Sequence, residues 1–132
     1  MDDTKIKGFK FSEDHIWIGQ REGSLYLGLA DWAQKHMGEI TYVDLPEVKE
    51  IIEKGEPFGE IESIKTVREL IAPVSGEVIQ INSELESNPT LINDDPFGDG
   101  WVLKIKPANA DELKELLDQE EYEQLLEEEE DY

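Results

Sequence analysis

Apolar and polar residues alternate with a period of two over much of the first 107 positions, the signature of strands that bury one face. In SLYLGLA, Leu25, Leu27 and Leu29 fall on one face; in WVLKIKP, Trp101, Leu103 and Ile105 share a face, with Lys104 and Lys106 opposite. Ile16 and Ile18 in DHIWIG, together with EITYVDL, FGEIES, VRELIA and GEVIQIN, extend the series to seven or eight short strands. The stretches EGS, LPEV, EKGEP, PVSG and DDPFGDG punctuate them as turns. Helical patterns are few. DWAQKHMG predicts one or two turns, with Asp31 as N-cap and Gly38 as the stop. Ser83 and Glu86 stand at capping-box spacing before a short turn that Asn88 and Pro89 end. Near the C-terminus Leu113, Leu116 and Leu117 are out of phase with Tyr122, Leu125 and Leu126. Asp118 and Glu121 lie between them at capping-box spacing, which predicts two short helices with a break near Asp118.

The pattern thus predicts a mainly β fold, a sandwich or flattened barrel with short helices and a C-terminal helical appendage that packs back on it. A chain of 132 residues suits a single domain, with 1–107 as the β core and 108–132 as acidic helices. No internal repeat is visible, and βαβ crossovers, the dinucleotide-binding glycine fingerprint and the P-loop motif are all missing.

Charge narrows the partners. The net charge is −21, from 33 acids against 12 Lys and Arg. Residues 108–132 hold 12 acids and Lys114, a charge of −11, so the remaining 107 residues carry −21 + 11 = −10. Such a surface repels nucleic acid phosphates and anionic lipid, and the tail reads as a solvated helix that favours solubility. No apolar run reaches the length of a membrane helix, and the first residues lack secretory or transit character, so a cytoplasmic location is expected. The chain has no cysteine, which removes thiolate metal sites and a cysteine nucleophile; redox chemistry would have to come from a bound group.

Candidate catalytic and metal groups are weak. Asn93, Asp94, Asp95 and Asp99 in NDDPFGDG lack calcium-loop spacing and read as a turn. His15 and His36 lie in different elements without partners at zinc spacing, and His15 reads as a packed or surface histidine. Ser75 in PVSGEV has no nucleophile elbow, and a carboxylate pair chosen from 33 acids would be arbitrary. No catalytic residue and no metal site is nominated, which favours a carrier or binding module over an enzyme.

One residue stands apart. In GEIESIKTVRELIAP two apolar-rich segments flank Ile64, Lys65 and Thr66 closely enough for a hairpin, yet no Gly, Asn, Asp or Pro marks the bend. The bend must then be imposed by the flanking strands. Ile64 and Val67 are expected near an exposed tip, where aliphatic side chains favour recognition by another protein. A projecting lysine there suits chemistry performed on its amine.

These residues resemble the H-protein of the glycine cleavage system, a relative of the lipoyl domains with their barrel-sandwich hybrid fold. The resemblance runs through DHIWIG, LGLADWAQKHMGEITYVDLPEV, GEPFGEIESIKTV, APVSGEVIQIN, NPTLINDDPFGDGWVLKIKP and the acidic tail. It implies that ESIKTV is the lipoylation motif, with lipoate joined to Lys65. Glu62, Ser63, Ile64 and Val67 would form the attachment context, and Glu69 would be an arm contact. It implies a non-catalytic carrier that shuttles an aminomethyl group from the P-protein to the T-protein and is reoxidised by the L-protein. A lipoate ligase or a lipoyl or octanoyl transferase would load it.

The sequence departs from the family where Ile16 replaces the usual Glu between His15 and Trp17, a carboxylate that pairs with the ammonium of the loaded arm; isoleucine offers no such pairing. Glu69 stands for the usual Asp, and Val67 and Arg68 replace small residues. Two other expectations therefore stand beside the first. One is an H-like lipoyl carrier serving a lipoyl relay or a sulfur-oxidising, heterodisulfide-reductase-like pathway; the other is an acidic adaptor without lipoate.

Overall fold

A computed structural model describes residues 7–130 of the chain. Nine strands are present among them: β1 (Lys7–Phe11), β2 (Ile16–Arg21), β3 (Ser24–Leu29), β4 (Ile40–Asp44), β5 (Ile51–Ile52), β6 (Pro57–Ser63), β7 (Val67–Ile71), β8 (Gly76–Ile81) and β9 (Leu103–Pro107). Every pairing is antiparallel. They form a six-stranded sheet in the order β1-β2-β3-β9-β8-β5 and a three-stranded sheet in the order β4-β6-β7. The two sheets stay separate, so the expected β architecture takes the sandwich form. Helices α1 (Asp31–Met37), α2 (Glu84–Ser87), α3 (Leu91–Asp94) and α4 (Gln119–Glu130) and a 3-10 turn at Ala110–Glu115 complete it. No helix among the described residues is long and apolar enough to cross a membrane.

The period-two pattern builds the interior between the sheets. Leu25, Leu27 and Leu29 of β3, Val78 of β8, and Leu103 and Ile105 of β9 pack in one buried cluster with Val43, Ile61 and Leu70 of the smaller sheet. Full burial of each such side chain stabilises the fold by about 1.5–3 kcal/mol. The larger sheet, however, is buried on its second face as well. Phe11, Trp17, Tyr26 and Ala30 form a second cluster with Tyr122 of α4. The rings of Phe11 and Tyr122 stack at 4.3 Å, and the Trp17 indole donates to the Pro96 carbonyl at 2.7 Å. Gly28 makes room for that indole: a Cβ on Gly28 would lie 2.5 Å from its ring.

Local signals fared unevenly. Asp118 and Glu121 cap α4 reciprocally, the Glu121 N–H donating to Asp118 Oδ1 at 2.8 Å and the Asp118 N–H to Glu121 Oε1 at 3.0 Å. Gly38 stops α1 as expected, with φ +84° and its N–H on the Gln34 carbonyl. Asp31 is not the N-cap. Ala30 holds that place and Asp31 is the first helical residue, accepting from Gln34 Nε2 at 2.8 Å and pairing with Lys35 at 3.0 Å. Ser83 does occupy the N-cap of α2 but makes no side-chain cap; the Asn82 side chain accepts the Glu84 N–H at 3.3 Å instead. Part of the turn expected at NDDPFGDG is helical, since α3 runs through Asp94, after which Asp95 Oδ2 accepts the Asp99 N–H at 2.9 Å.

His15 joins α4 to the β core. Its φ is +67°, and its ring lies buried against Trp32 at 4.5 Å. Nδ1 is 2.8 Å from the Tyr122 hydroxyl and Nε2 is 3.1 Å from Glu129 Oε2. A carboxylate only accepts, so the Nε2–H tautomer, receiving the Tyr122 proton at Nδ1 and donating to Glu129, satisfies every group. Burial pushes the His15 pKa below its ordinary 6.5 and outweighs the upward pull of the Glu129 charge; Arg68 pushes it down further. Burial, followed by the Glu129 charge, raises the Tyr122 hydroxyl well above its usual range.

Two tests follow from this packing. Gly28→Ala forces the Trp17 indole to shift, and urea denaturation should show a loss of about 1–3 kcal/mol; an unchanged midpoint would contradict the close approach. For His15, the folded pKa lies below the unfolded 6.5, so its contribution is complete above pH 6.5 and declines as pH falls below it. Relative to His15→Asn, which tolerates the left-handed backbone, the parent should lose up to about 1.4 kcal/mol per pH unit below 6.5 in matched denaturation curves. A parallel pH dependence of the two proteins would refute this.

Candidate functional site

The β6–β7 hairpin carries Lys65 at its tip. Its ladder runs through Glu60↔Glu69 and Ile61↔Arg68 to Glu62↔Val67, and the bend spans Ser63 to Thr66. None of the bend residues has a positive φ, so the primed turns that usually close such hairpins are not used. Ser63 closes it in another way. Its N–H donates to the Thr66 carbonyl at 2.8 Å. Its hydroxyl accepts the N–H groups of Lys65 at 3.2 Å and Thr66 at 3.1 Å, and lies 3.3 Å from the Thr66 carbonyl, to which it donates. The turn chemistry is therefore present in the sequence as a serine, a weaker turn former than Asn or Asp. The flanking strands do not impose the bend alone.

A second contact docks the tip. The Ile64 N–H donates to the Glu39 carbonyl at 3.1 Å, beyond the last β4–β6 pair at Ile40↔Ser63. Glu39 follows Gly38, whose positive φ turns the chain out of α1. A Cβ on Gly38 would stand 3.6 Å from Lys65 Cε, so the lysine stem passes over this turn. Lys65 is exposed and makes no ion pair among the described residues.

Strand register sorts the neighbouring candidates. Tyr42, Glu62 and Val67 stand in one row across β4, β6 and β7, and Asp44, Glu60 and Glu69 in the next row on the same outward face. Ile64 is 72% exposed and Tyr42 and Val67 are 54% exposed. The inward row is Val43, Ile61 and Arg68; the first two are buried, and Arg68 Nη2 donates to the Asp14 carbonyl at 3.2 Å. Glu62, Val67 and Glu69 thus share one surface with the hairpin tip, Glu69 lying one row farther back. Ser63 serves the bend itself. Ile16 does not join this surface: it pairs with Leu29 and lies 1% exposed in the sandwich core.

The two histidines flank one indole. His36 stacks on Trp32 at 3.9 Å while its Nδ1 donates to the Trp32 carbonyl at 2.8 Å, and His15 lies against Trp32 as described. Among the described residues no three His, Asp or Glu side chains converge to hold a metal. The roles that sequence patterns missed are those that hold the tip: the acceptor role of the Ser63 hydroxyl, the Glu39 carbonyl, and Asn93, whose side chain bonds to the Gly38–Ile40 turn.

Comparison with known proteins covers nearly the whole chain. The family model described as glycine cleavage H-protein matches residues 9–129. A glycine cleavage system H protein of Halalkalibacterium halodurans is 42% identical over 120 residues, 91% of this chain and 94% of the relative. A probable glycine cleavage system H protein of Pyrococcus abyssi is 49% identical over 125 residues, 92% of each. A crystal structure of a glycine cleavage system H protein from Mycobacterium marinum superposes with a TM-score of 0.79 at 36% identity, covering 86% of this chain and 92% of that one.

The role given to Ser63 is open to direct measurement. Ser63→Ala removes the acceptor for two N–H groups, and hydrogen exchange at Lys65 and Thr66 should quicken; Ser63→Asn, able to form the equivalent turn, should stay near the parent rate. Unchanged exchange in the alanine variant would remove the hydroxyl from this role.

Proposed function

The chain belongs to the glycine cleavage H-protein family, and on that premise we propose that Lys65 is the residue through which it carries lipoate. The protein is a lipoyl carrier of the glycine cleavage system, moving the aminomethyl group of glycine between the other components of that system. Those components are the P-protein that loads the group, the T-protein that receives it and the L-protein that reoxidises the carrier. Their catalysis leaves the present chain a non-catalytic role, exercised in the cytoplasm. The names of the relatives favour this reading over a lipoyl relay or a sulfur-oxidising pathway.

The residues fit the group. An exposed primary amine without an ion-pair partner among the described residues can form an amide without breaking a salt bridge, and amide formation removes its charge. Gly38 leaves the space beneath the lysine stem free of a side chain. Bound there, lipoate supplies a disulfide that opens to two thiols, the redox and carbon-holding groups that a cysteine-free chain lacks. The protein contributes presentation: Ser63 and the Glu39 carbonyl hold the tip, so little ordering is left for the enzyme that reads it.

Ile64, Val67 and Glu62 form the surface that the lipoate ligase or the lipoyl or octanoyl transferase contacts, two aliphatic side chains beside a carboxylate. Glu69 belongs to the same face and contacts the arm or its readers from the second row. Burial of Ile16 in the core means that this position contributes stability, and the ammonium of a loaded arm must find its carboxylate elsewhere.

The single observation that carries the reading is a rigidly closed hairpin tip with Lys65 exposed on it, inside a chain that matches the family from residue 9 to residue 129. Protein produced with a lipoate supply should gain the mass of one lipoyl group, mapped to the peptide that contains Lys65. Lys65→Arg should abolish the gain without moving the melting temperature, since the side chain is exposed. Loaded protein, glycine, P-protein, T-protein and tetrahydrofolate together should then form the methylene-folate product and release ammonia. A lipoyl group retained by the arginine variant would refute the site; fully loaded protein that transfers no carbon beside a working control would refute the cargo.

A further inference from the structure

Asn93 lies in α3, distant in sequence from the hairpin, and the lipoyl reading does not use it. Its side chain nevertheless fills three of its four hydrogen-bonding positions at one place. Oδ1 accepts the Ile40 N–H at 2.9 Å. Nδ2 donates to the Gly38 carbonyl at 2.9 Å and to Gln34 Oε1 at 2.9 Å. Gln34 is in turn bonded to Asp31 Oδ1 at the other end of α1.

Two of these partners, Gly38 and Ile40, bracket Glu39, the residue whose carbonyl takes the Ile64 N–H at the hairpin tip. The backbone there has little support of its own. Gly38 is in a left-handed conformation open to few residues, and the β4–β6 register shifts between Ile40 and Tyr42, so the regular ladder cannot by itself fix Glu39. Without Asn93 the Ile40 N–H and the Gly38 carbonyl would lose these side-chain partners, the first of them on a residue only 1% exposed.

We infer that Asn93 is a positioning residue for Lys65: by tying Gly38 and Ile40 to α3 it fixes the Glu39 carbonyl, and through that carbonyl it holds the tip in the form that the lipoate-attaching enzyme reads. The functional half rests on Lys65 being the lipoyl acceptor; the mechanical half does not. Loss of Asn93 lowers the fraction of molecules with a docked tip. Apparent affinity for the modifying enzyme falls by that fraction, and turnover of bound carrier is spared. KM therefore rises while kcat holds; global unfolding of the carrier, which is the substrate here, would raise KM in the same way, and the Val78→Ala control separates the two.

The test uses the full chain. Hydrogen exchange of the Ile64 amide is compared in the parent, Asn93→Ala and Asn93→Asp, with Val78→Ala, in β8 of the other sheet, as a control for general destabilisation. Aspartate keeps the acceptor for Ile40 and loses both donors. Exchange at Ile64 should quicken about tenfold in the alanine variant, equivalent to about 1.4 kcal/mol, and by a smaller factor in the aspartate variant. The Leu27 and Ile105 core amides, which exchange through global unfolding, should quicken by no more than Ile64 in either variant. In parallel, steady-state lipoylation should show a several-fold rise in KM with kcat kept for Asn93→Ala, and parent kinetics for Val78→Ala. Parent-like exchange at Ile64 in Asn93→Ala, or equal quickening in Val78→Ala, overturns the inference. Quickened exchange with parent lipoylation kinetics overturns its functional half. Absence of lipoylation in the parent itself would instead count against Lys65 as acceptor, with the exchange result still deciding the positioning.

Discussion

A two-residue bend whose backbone stays at negative φ leaves polar groups that a primed hairpin turn would pair internally, and at this tip those groups must be met by side chains and by a neighbouring segment. The Ser63 hydroxyl answers from within the bend, and the Glu39 carbonyl answers from the turn after α1. This constraint links elements far apart in sequence. The hairpin depends on the α1–β4 turn, that turn on Gly38 for its conformation, and Gly38 and Ile40 on Asn93 of α3 for their hydrogen bonds. A lysine on a long flexible loop would be equally exposed, but every encounter would first have to order it; here most of that entropy is removed when the domain folds.

The acidic C-terminus is subject to a different constraint. Helix α4 has acidic residues in its first turn, where the helix dipole favours them, and no basic residue in its last, where the dipole favours cations. Its charge pattern alone would leave the last turn weakly held. Docking comes from burial: Tyr122 stacks on Phe11, Leu125 and Leu126 pack on the second cluster, and Leu117 exchanges two backbone hydrogen bonds of 2.8 Å with Phe11. Glu129, a last-turn carboxylate, gains the one partner suited to it, the Nε2–H of His15. The strain of a left-handed His15 is thereby offset by two side-chain hydrogen bonds and a stacked indole.

What could be read from the sequence divides along the range of the interactions. Strands with strict alternation, such as those of Leu25, Leu27 and Leu29, were legible because one buried face leaves a period of two. The Asp118–Glu121 box was legible because both partners lie within one helical turn. The same local rule misplaced the cap at Ser83, where the Asn82 side chain reaches the free N–H, and at Asp31, where Lys35 and Gln34 engage the carboxylate. The C-terminal helix was expected to pack back on the β core, but the cover on Trp17 and Tyr26 was hidden, because Phe97 and Trp101, far away in sequence, supply it. Lys65 stood out through its motif, whereas its supports did not: a serine is a weak turn signal, and Asn93 reaches across 53 residues to bond Ile40. Side chain to backbone contacts at that range leave no period in the sequence.

The outward face of the small sheet shows how modification changes what a partner meets. Asp44, Glu60 and Glu69 lie side by side in register, an arrangement of like charges that weakens strand pairing. Lys65 is an exposed cation at the tip, whereas Arg68 points inward to the Asp14 carbonyl. The proposed conversion of the Lys65 amine to an amide would leave the face with carboxylates, Tyr42, Ile64 and Val67, and without the Lys65 charge. The unmodified and modified proteins would therefore differ in charge beside the exposed Ile64 and Val67 side chains. On that proposal, an enzyme that loads the lysine would meet a cation within an acidic rim, and enzymes that use the loaded carrier would meet an apolar arm within the same rim. Discrimination between the two states then follows from electrostatics at the tip, with no conformational change required of the sandwich.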